Sequence, residues 1–232
     1  MPKVAQQVRD ILATLEQRRS KRNREGMARY GIVAEKSFGV SVETLKSLGK
    51  QYGRDHALAV ALWNSGWYEA RMLTPFIDEP ERVTAAQMDR WAKAFDNWAI
   101  CDALCFHLFD RTPHAWRKIE QWSGRRAEFI KRAGFALLAS LALHDRKTGD
   151  APFKKSLAII ERGAADDRNF VKKGVSWALR GVGRRNPQLN AAAIALARRL
   201  AAASEPSARW IGKDALRELT RAPVGSKGIA AS

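Results

Sequence analysis

The sequence contains few cysteines, and this scarcity argues against a disulfide-stabilised secreted domain and against a zinc-binding domain. Two of the 232 residues are cysteine, Cys101 and Cys105, and four are histidine. Two thiols cannot form the disulfide framework of a small secreted domain, and they suit a reducing cytoplasm. Together with His107 they could suggest a metal site, but their spacing matches no zinc pattern. We therefore predict buried core thiols and no metal ion.

Long hydrophobic runs are also missing from the sequence. No apolar segment approaches the ~20 residues that a transmembrane helix needs. The first seven residues, MPKVAQQ, lack the apolar core of a signal peptide. These two features predict a cytoplasmic protein.

Acidic residues are scarce relative to basic ones. The chain has 24 Asp and Glu against 41 Lys and Arg, which gives a formal net charge of +17. Such a balance indicates a polyanionic partner, either nucleic acid or an anionic membrane surface. A membrane-surface helix would carry an apolar face beside its cations, whereas the basic residues here are spread over the whole chain. The composition therefore favours nucleic acid.

Strand-like alternation is absent, and helical periodicity replaces it. Apolar residues recur at helical spacing in the segments 58–63, 129–141 and 171–182. Asp55 is a candidate N-cap, Thr84 with Gln87 matches a capping box, and Thr112 before Pro113 is typical of a cap followed by the first helical residue. We predict an all-α protein with about ten to twelve helices joined by short loops.

The rhythm of these helices predicts a repeat architecture. Antiparallel helix pairs at about 40 residues per pair are typical of a HEAT-like or armadillo-type α–α superhelix, whose concave face can follow a DNA duplex. We predict a single repeat domain over residues 1–221 and a flexible C-terminal tail over 222–232. Residues 18–24, which are rich in Lys and Arg, are interpreted as a basic linker, which is either a phosphate-contacting loop or a solvated connection.

Trp98 and Asp102 form an unusual pair for a basic chain. Residues four apart on a helix share one face, with Cβ atoms about 5–6 Å apart. An aromatic face and a carboxylate would then point at the same place, and a cationic centre on a nucleic acid would explain the carboxylate. Taken singly, Trp98 could instead be a core residue, and Asp102 could be a paired or capping carboxylate.

Four segments together resemble a known family. They are 27–30 (MARY), 97–102 (NWAICD), 129–133 (FIKRA) and 170–180 (FVKKGVSWALR). In this order they resemble the bacterial DNA alkylation repair glycosylases with HEAT-like repeats, the AlkD family. Ala99 departs from the family pattern, in which a second acidic residue often stands beside the tryptophan.

The resemblance implies an activity. It implies a monofunctional glycosylase that hydrolyses the N-glycosidic bond of cationic N3- or N7-alkylated purines in double-stranded DNA, without flipping the base. It also implies no cofactor, no obligate protein partner, a monomer, and a location at the bacterial nucleoid. Two alternatives stay open. One is a catalytically inactive HEAT-repeat DNA-binding protein that recognises damaged or bent duplex, and the other is a HEAT-like scaffold for a protein partner.

The resemblance also assigns roles to residues. Asp102 would stabilise the sugar cation and orient a water molecule, while Trp98 and Trp177 would present π faces to the lesion. Arg132 would bind a phosphate near the lesion, and Tyr30 belongs to the N-terminal motif. The cations that follow around the Trp177 helix could form a phosphate-binding rim or a solvated face: Lys172, Lys173, Arg180, Arg184 and Arg185.

Overall fold

The structure is a computed structural model that describes residues 2–221. Over this range the chain forms thirteen α-helices and two short 3₁₀ turns, with no strand. The prediction of an all-α fold is therefore confirmed. The predicted flexible tail, 222–232, lies outside the described residues.

The chain divides into two compact units, Met1–His114 and Ala115–Ser232. Each unit has its own set of fully buried apolar side chains, such as Leu62 in the first and Phe135 in the second. The assignment of residues 1–221 to a single domain stays a prediction.

The first unit contains seven helices within the described residues. Helices α3 and α4 pack on α5, which also contacts α7, while α1 packs on α4. Helix α5 is thus central to this unit, and eight of its ten residues are buried. The bounds are α1 Pro2–Gln17, α2 Lys21–Arg29, α3 Val42–Tyr52, α4 His56–Asn64, α5 Tyr68–Ile77, α6 Ala85–Lys93 and α7 Trp98–His107, with 3₁₀ turns at Pro80–Arg82 and Phe109–Arg111.

The second unit contains six helices within the described residues. Helix α9 packs against α8 and α11, and α11 also contacts α10, α12 and α13. Every residue of α9 from Arg132 to Ala142 is buried, which is typical of a helix surrounded by others. The bounds are α8 Ala115–Ser123, α9 Glu128–His144, α10 Asp150–Gly163, α11 Asn169–Gly183, α12 Pro187–Ala201 and α13 Pro206–Leu219.

Two of the predicted N-caps are confirmed. Oδ1 of Asp55 accepts a hydrogen bond from the Leu58 amide at 2.9 Å, and Oγ1 of Thr84 accepts one from the Gln87 amide at 3.1 Å. The side chain of Gln87 does not return to Thr84, however, because it donates to Oδ2 of the buried Asp78 at 3.0 Å. Only one half of the predicted capping box forms.

The third predicted cap is wrong. Helix α8 begins at Ala115, so Pro113 lies in a turn before the helix rather than at its first position. Thr112 follows a 3₁₀ turn, and its hydroxyl donates back to the Phe109 carbonyl at 2.9 Å.

The interpretation of residues 18–24 as a linker is also wrong. Helix α2 begins at Lys21, and Oγ of Ser20 caps it by accepting from the Asn23 amide at 3.2 Å. The segment lacks apolar periodicity because α2 buries none of its own residues.

Both cysteines are buried free thiols in α7, as predicted. Burial raises the pKa of the Cys105 thiol, and the neighbouring Cys101 raises it further. Among residues 2–221, no group of three metal-binding side chains comes together, and no helix is long and apolar enough to cross a bilayer.

Candidate functional site

Helix α7 carries the tryptophan–carboxylate pair, and a buried cap fixes its start. Asn97 is fully buried, and its side-chain oxygen accepts from the Ile100 amide at 3.0 Å. Trp98 is consequently the first residue of the helix, and Asp102 follows one turn later. Both side chains are partly exposed. The predicted placement of the pair on one helix is confirmed, while the reaction assigned to it stays a prediction.

The Trp98 ring is oriented by a hydrogen bond from outside its own helix. Its Nε1 donates to the main-chain carbonyl of Tyr30 at 2.8 Å. Tyr30 is the C-cap of α2, and 70% of the residue is exposed. The first unit thus brings together three of the predicted site residues, Tyr30, Trp98 and Asp102.

A buried carboxylate holds the connection between α2 and α3. Glu69 on α5 is fully buried. Its Oε1 accepts from the Ser37 hydroxyl at 2.8 Å and from the Gly39 amide at 2.7 Å, and its Oε2 accepts from the Phe38 amide at 3.0 Å. These bonds satisfy a charge that would otherwise be costly to bury. Glu69 therefore fixes the main chain that follows the site residue Tyr30.

Helix α2 rests on this anchored connection through one backbone bond at its cap and one side-chain bond. The Ser20 amide donates to the Phe38 carbonyl at 2.9 Å, and Nδ2 of Asn23 donates to the Gly39 carbonyl at 3.0 Å. Gly39 has φ +79°, and a Cβ atom there would lie 2.3 Å from the Ser20 carbonyl oxygen and 2.9 Å from the Arg24 amide nitrogen. Only glycine fits this position without moving α2.

Negative charge collects around the start of α7. Burial raises the pKa of Tyr68 well above its usual range, and the charges of Glu69 and Asp96 raise it further. The charge of Asp102 also contributes to the raised pKa of Cys105, after burial and Cys101. Asp96 and Asp102 therefore place two carboxylates at the start of a helix in a strongly basic chain.

In the second unit, Arg132 is buried. The residue is 6% exposed, and its Nη1 donates to the Phe170 carbonyl at 2.6 Å. Its Cγ would lie 3.5 Å from a Cβ atom placed on Gly174, so the side chain passes closely over α11. The structure gives Arg132 an internal role between α9 and α11, and its predicted phosphate contact stays a prediction.

Trp177 and the two lysines before it lie on α11. Trp177 is partly exposed, and Lys173 is exposed. Nζ of Lys172 lies 5.0 Å from the centroid of the Trp210 ring, a cation–π distance. The predicted DNA contacts of Trp177, Lys172 and Lys173 stay predictions.

The predicted arginine rim has internal partners. Nη1 of Arg180 lies 2.7 Å from Oε2 of Glu218, and Nη2 of Arg184 lies 2.6 Å from Oε1 of the same carboxylate. Glu218 is on α13, so this cluster ties α11 to α13. The geometry favours a structural role for Arg180, and its predicted DNA contact stays a prediction.

Arg185 caps α9 instead of lining a surface rim. Its Nη1 donates to the Asp145 carbonyl at 2.7 Å and to the Ala142 carbonyl at 3.0 Å. Its guanidinium carbon lies 3.7 Å from the centroid of the Phe153 ring. Burial lowers the pKa of Arg185. The rim interpretation therefore fails for this residue.

Sequence reasoning missed an ion cluster at the start of α11. Oδ2 of Asp166 lies 2.6 Å from Nη2 of Arg168 and 2.8 Å from Nζ of Lys131. The Arg168 hydrogen bond, helped by Lys131, holds the pKa of Asp166 well below its usual range. The residues come from separate helices and loops, so no spacing in the sequence reveals the cluster.

Comparisons with known proteins bear on the family and on the fold. A sequence profile described as "DNA alkylation repair enzyme" matches residues 11–219. A solved structure, from a family described as related to the HEAT-like repeat DNA glycosylases with affinity for branched DNA structures, superposes with a TM-score of 0.74. The sequences are 18% identical, and the match covers 82% of this chain and 81% of the other. No curated protein matches the chain. The superposition confirms the predicted HEAT-like fold, and the profile shows that the chain belongs to the DNA alkylation repair enzyme family.

Proposed function

We propose that this protein is a DNA glycosylase that hydrolyses the N-glycosidic bond of cationic N3- or N7-alkylated purines in double-stranded DNA. The observation that carries the proposal is the pair on α7, with Asp102 one turn after a Trp98 whose indole is fixed by the Tyr30 carbonyl. Membership of the DNA alkylation repair enzyme family supports it.

The proposed reaction needs a negative charge more than it needs an acid. N3- or N7-alkylation gives the purine a positive charge, so the base leaves without strong protonation. The sugar then develops oxocarbenium character, as in glycoside hydrolysis. The Asp102 carboxylate would stabilise this cation and orient the water that attacks it. Removal of one preorganised electrostatic group costs about 2.7–4 kcal/mol of barrier in a comparable enzyme.

Trp98 would supply the second part of the site. Its ring would present a π face to the cationic base or sugar, a contact worth about 0.5–2 kcal/mol. Because the indole N–H is bound to Tyr30, the ring does not have to be ordered when DNA binds. Trp177, on α11 of the second unit, keeps its separate prediction of an aromatic contact with DNA.

The partly exposed side chains suit a reaction in which the base stays in the duplex. A flipped base needs a snug pocket that encloses it. Tyr30 is exposed, and Trp98 and Asp102 are partly exposed, so a DNA backbone and deoxyribose could reach all three. The proposal requires no cofactor and no protein partner, and it places the monomer on the bacterial nucleoid.

The test is the release of free base from methylated duplex DNA, read by mass spectrometry. We expect the wild type to release 7-methylguanine and Asp102→Asn to release about 10²–10³-fold less while still binding DNA. Asp167→Asn is the matched control, because it removes an exposed carboxylate from the loop before α11 and should keep full activity. Full activity of Asp102→Asn would refute the proposed role of the carboxylate.

A second candidate function is favoured by one observation. The structural relative is described as having affinity for branched DNA structures. A catalytically inactive protein that binds bent, damaged or branched duplex is therefore the alternative. It predicts no free base above the spontaneous rate, together with tighter binding to a four-way junction than to a linear duplex.

A further inference from the structure

A cationic surface on the first unit is not used by the proposed reaction. Residues 18–29 contain six cations and one anion, Glu25, and all six cations are exposed. We call this surface the basic segment, and its cations are Arg18, Arg19, Lys21, Arg22, Arg24 and Arg29.

The charges of the basic segment are scarcely neutralised by the protein. Lys21 lies 3.8 Å from Glu25, but the two side chains are 83% and 63% exposed. An exposed pair of this kind contributes little. Over residues 2–221, no other ion pair involves a cation of the basic segment.

The basic segment is nevertheless held in a fixed place. Helix α2 has nine residues and buries none of them, and a helix of this length is marginal alone in water. It is kept by the Ser20 cap, by the bond from Asn23 to the Gly39 carbonyl, and by the Ile32 amide, which donates to the Met27 carbonyl at 3.1 Å. Neighbouring like charges on such a helix repel one another. A polyanion bound to the helix would relieve that repulsion.

Apolar side chains extend from the C-terminal end of α2. Tyr30 is 70% exposed and Val33 is 78% exposed, the two highest values among the exposed large hydrophobic residues of the described chain. The bond from Trp98 to the Tyr30 carbonyl places this end beside the candidate site. Cations that bind phosphates, next to exposed apolar side chains, are typical of proteins that contact a DNA groove.

We propose that the basic segment binds the phosphate backbone of duplex DNA outside the damaged nucleotide. The proposal rests on the proposed function only in taking DNA as the ligand, and it requires no catalysis. An anionic membrane fits less well, because it would need an apolar stripe along the helix and α2 offers only Met27 and Ala28.

The experiment measures the binding of an undamaged fluorescent duplex by anisotropy at several salt concentrations. The test variant carries Arg18→Gln, Arg19→Gln and Arg22→Gln, which removes three charges without touching a buried side chain. The matched control carries Lys154→Gln, Lys155→Gln and Arg162→Gln, which removes three exposed charges from α10. Both variants therefore lower the net charge equally.

We expect the test variant to bind roughly tenfold more weakly or worse near 0.1 M salt. The slope of log K against log salt concentration should become less steep by about 0.9 for each phosphate that the variant no longer binds. The control should keep the wild-type slope and affinity. On methylated DNA, the test variant should need more DNA for half-maximal base release while keeping its rate at saturation. Circular dichroism should show unchanged helix content in both variants.

Three outcomes would overturn the proposal. Equal losses of affinity in both variants would assign the effect to net charge, and unchanged affinity in the test variant would remove the segment from the DNA interface. Binding of the wild type to phosphatidylserine vesicles, abolished only in the test variant and with DNA affinity intact, would assign the segment to membranes. If the wild type bound no DNA at all, the proposed function itself would fall.

Discussion

At the scale of single residues, Trp98 combines a fixed ring with partial exposure. Its indole N–H donates to the Tyr30 carbonyl, and its ring stays partly exposed to solvent. The position on α7 could be predicted, because residues four apart on a helix share a face. The bond to Tyr30 could not, because it joins positions 68 residues apart and its acceptor is a main-chain oxygen that no side-chain pattern marks.

Trp98→Phe separates the hydrogen bond from the aromatic face, because it keeps an aromatic ring and removes the N–H donor. We expect the variant to lose roughly 0.5–1.5 kcal/mol of unfolding free energy and to release base more slowly than the wild type. Urea unfolding and a base-release assay measure the two effects. Trp116→Phe, at a partly exposed tryptophan of the second unit, is the control. Wild-type stability and activity in Trp98→Phe would show that the hydrogen bond positions nothing.

Asp166 gives a prediction about pH. Its hydrogen bonds with Arg168 and Lys131 depress its pKa in the folded state below the unfolded value near 3.8. The carboxylate therefore contributes stability that is fully present above that value and is lost as the pH falls below it.

Asp166→Asn should thus cost roughly 1–3 kcal/mol of unfolding free energy at pH 7, and less at pH 3. Urea unfolding of both proteins at the two pH values measures the difference. A cost that stayed constant between pH 7 and pH 3 would contradict the role of the charge.

At the scale of secondary-structure elements, the connection between α2 and α3 holds α2 in place. Glu69 binds this connection from α5, and α2 rests on it through Ser20 and Asn23. The sequence shows Glu69 only as one of two charged residues in a largely apolar helix, and such a residue could by itself be solvent-exposed. The same tertiary bonds explain why α2 could not be predicted, since its helix depends on them and not on an apolar stripe.

Gly39→Ala tests this connection. The added Cβ would meet the Ser20 carbonyl and the Arg24 amide, so we expect α2 to be displaced and residues 18–30 to be cut rapidly by trypsin. Gly66→Ala is the matched control, because Gly66 also has positive φ (+76°) but a Cβ there would meet nothing within 4 Å.

The strain of positive φ alone costs about 1–2 kcal/mol and is common to both variants. The steric clash is therefore what separates them. Equal rates of tryptic cleavage in the two variants would mean that the contact with Ser20 does not hold α2 in place.

Helix boundaries show how far local patterns reach. Asp55 and Thr84 were predictable as caps because a cap depends on residues three positions apart. The cap predicted at Thr112 was wrong, because the 3₁₀ turn before this residue offers its hydroxyl a nearer partner, the Phe109 carbonyl. The rim interpretation failed for Arg185 for a different reason. Its charge suits DNA, but its carbonyl partners at the end of α9 are brought to it only by folding. The partner of Arg180 on α13 could not be read from the sequence either, and the DNA contact of Arg180 stays a prediction.

At the scale of the whole molecule, a net charge of +17 coexists with two carboxylates at one helix, Asp96 just before α7 and Asp102 on it. The charge and the helical rhythm were enough to predict an all-α, HEAT-like protein that binds nucleic acid. The division into two compact units was not predictable, because the helix pairs show too little sequence similarity to one another to mark a boundary.

The proposed reaction depends on Asp102, the carboxylate on α7 that would stabilise the departing base and sugar. The most direct measurement is the single-turnover rate of 7-methylguanine release from duplex DNA, with enzyme in excess, for the wild type, Asp102→Asn and Asp167→Asn. We predict release by the wild type and by Asp167→Asn at equal rates, and a loss of about 10²–10³-fold in Asp102→Asn with unchanged DNA binding. Release by Asp102→Asn at the wild-type rate, or no release above the spontaneous rate by any of the three, would contradict the claim.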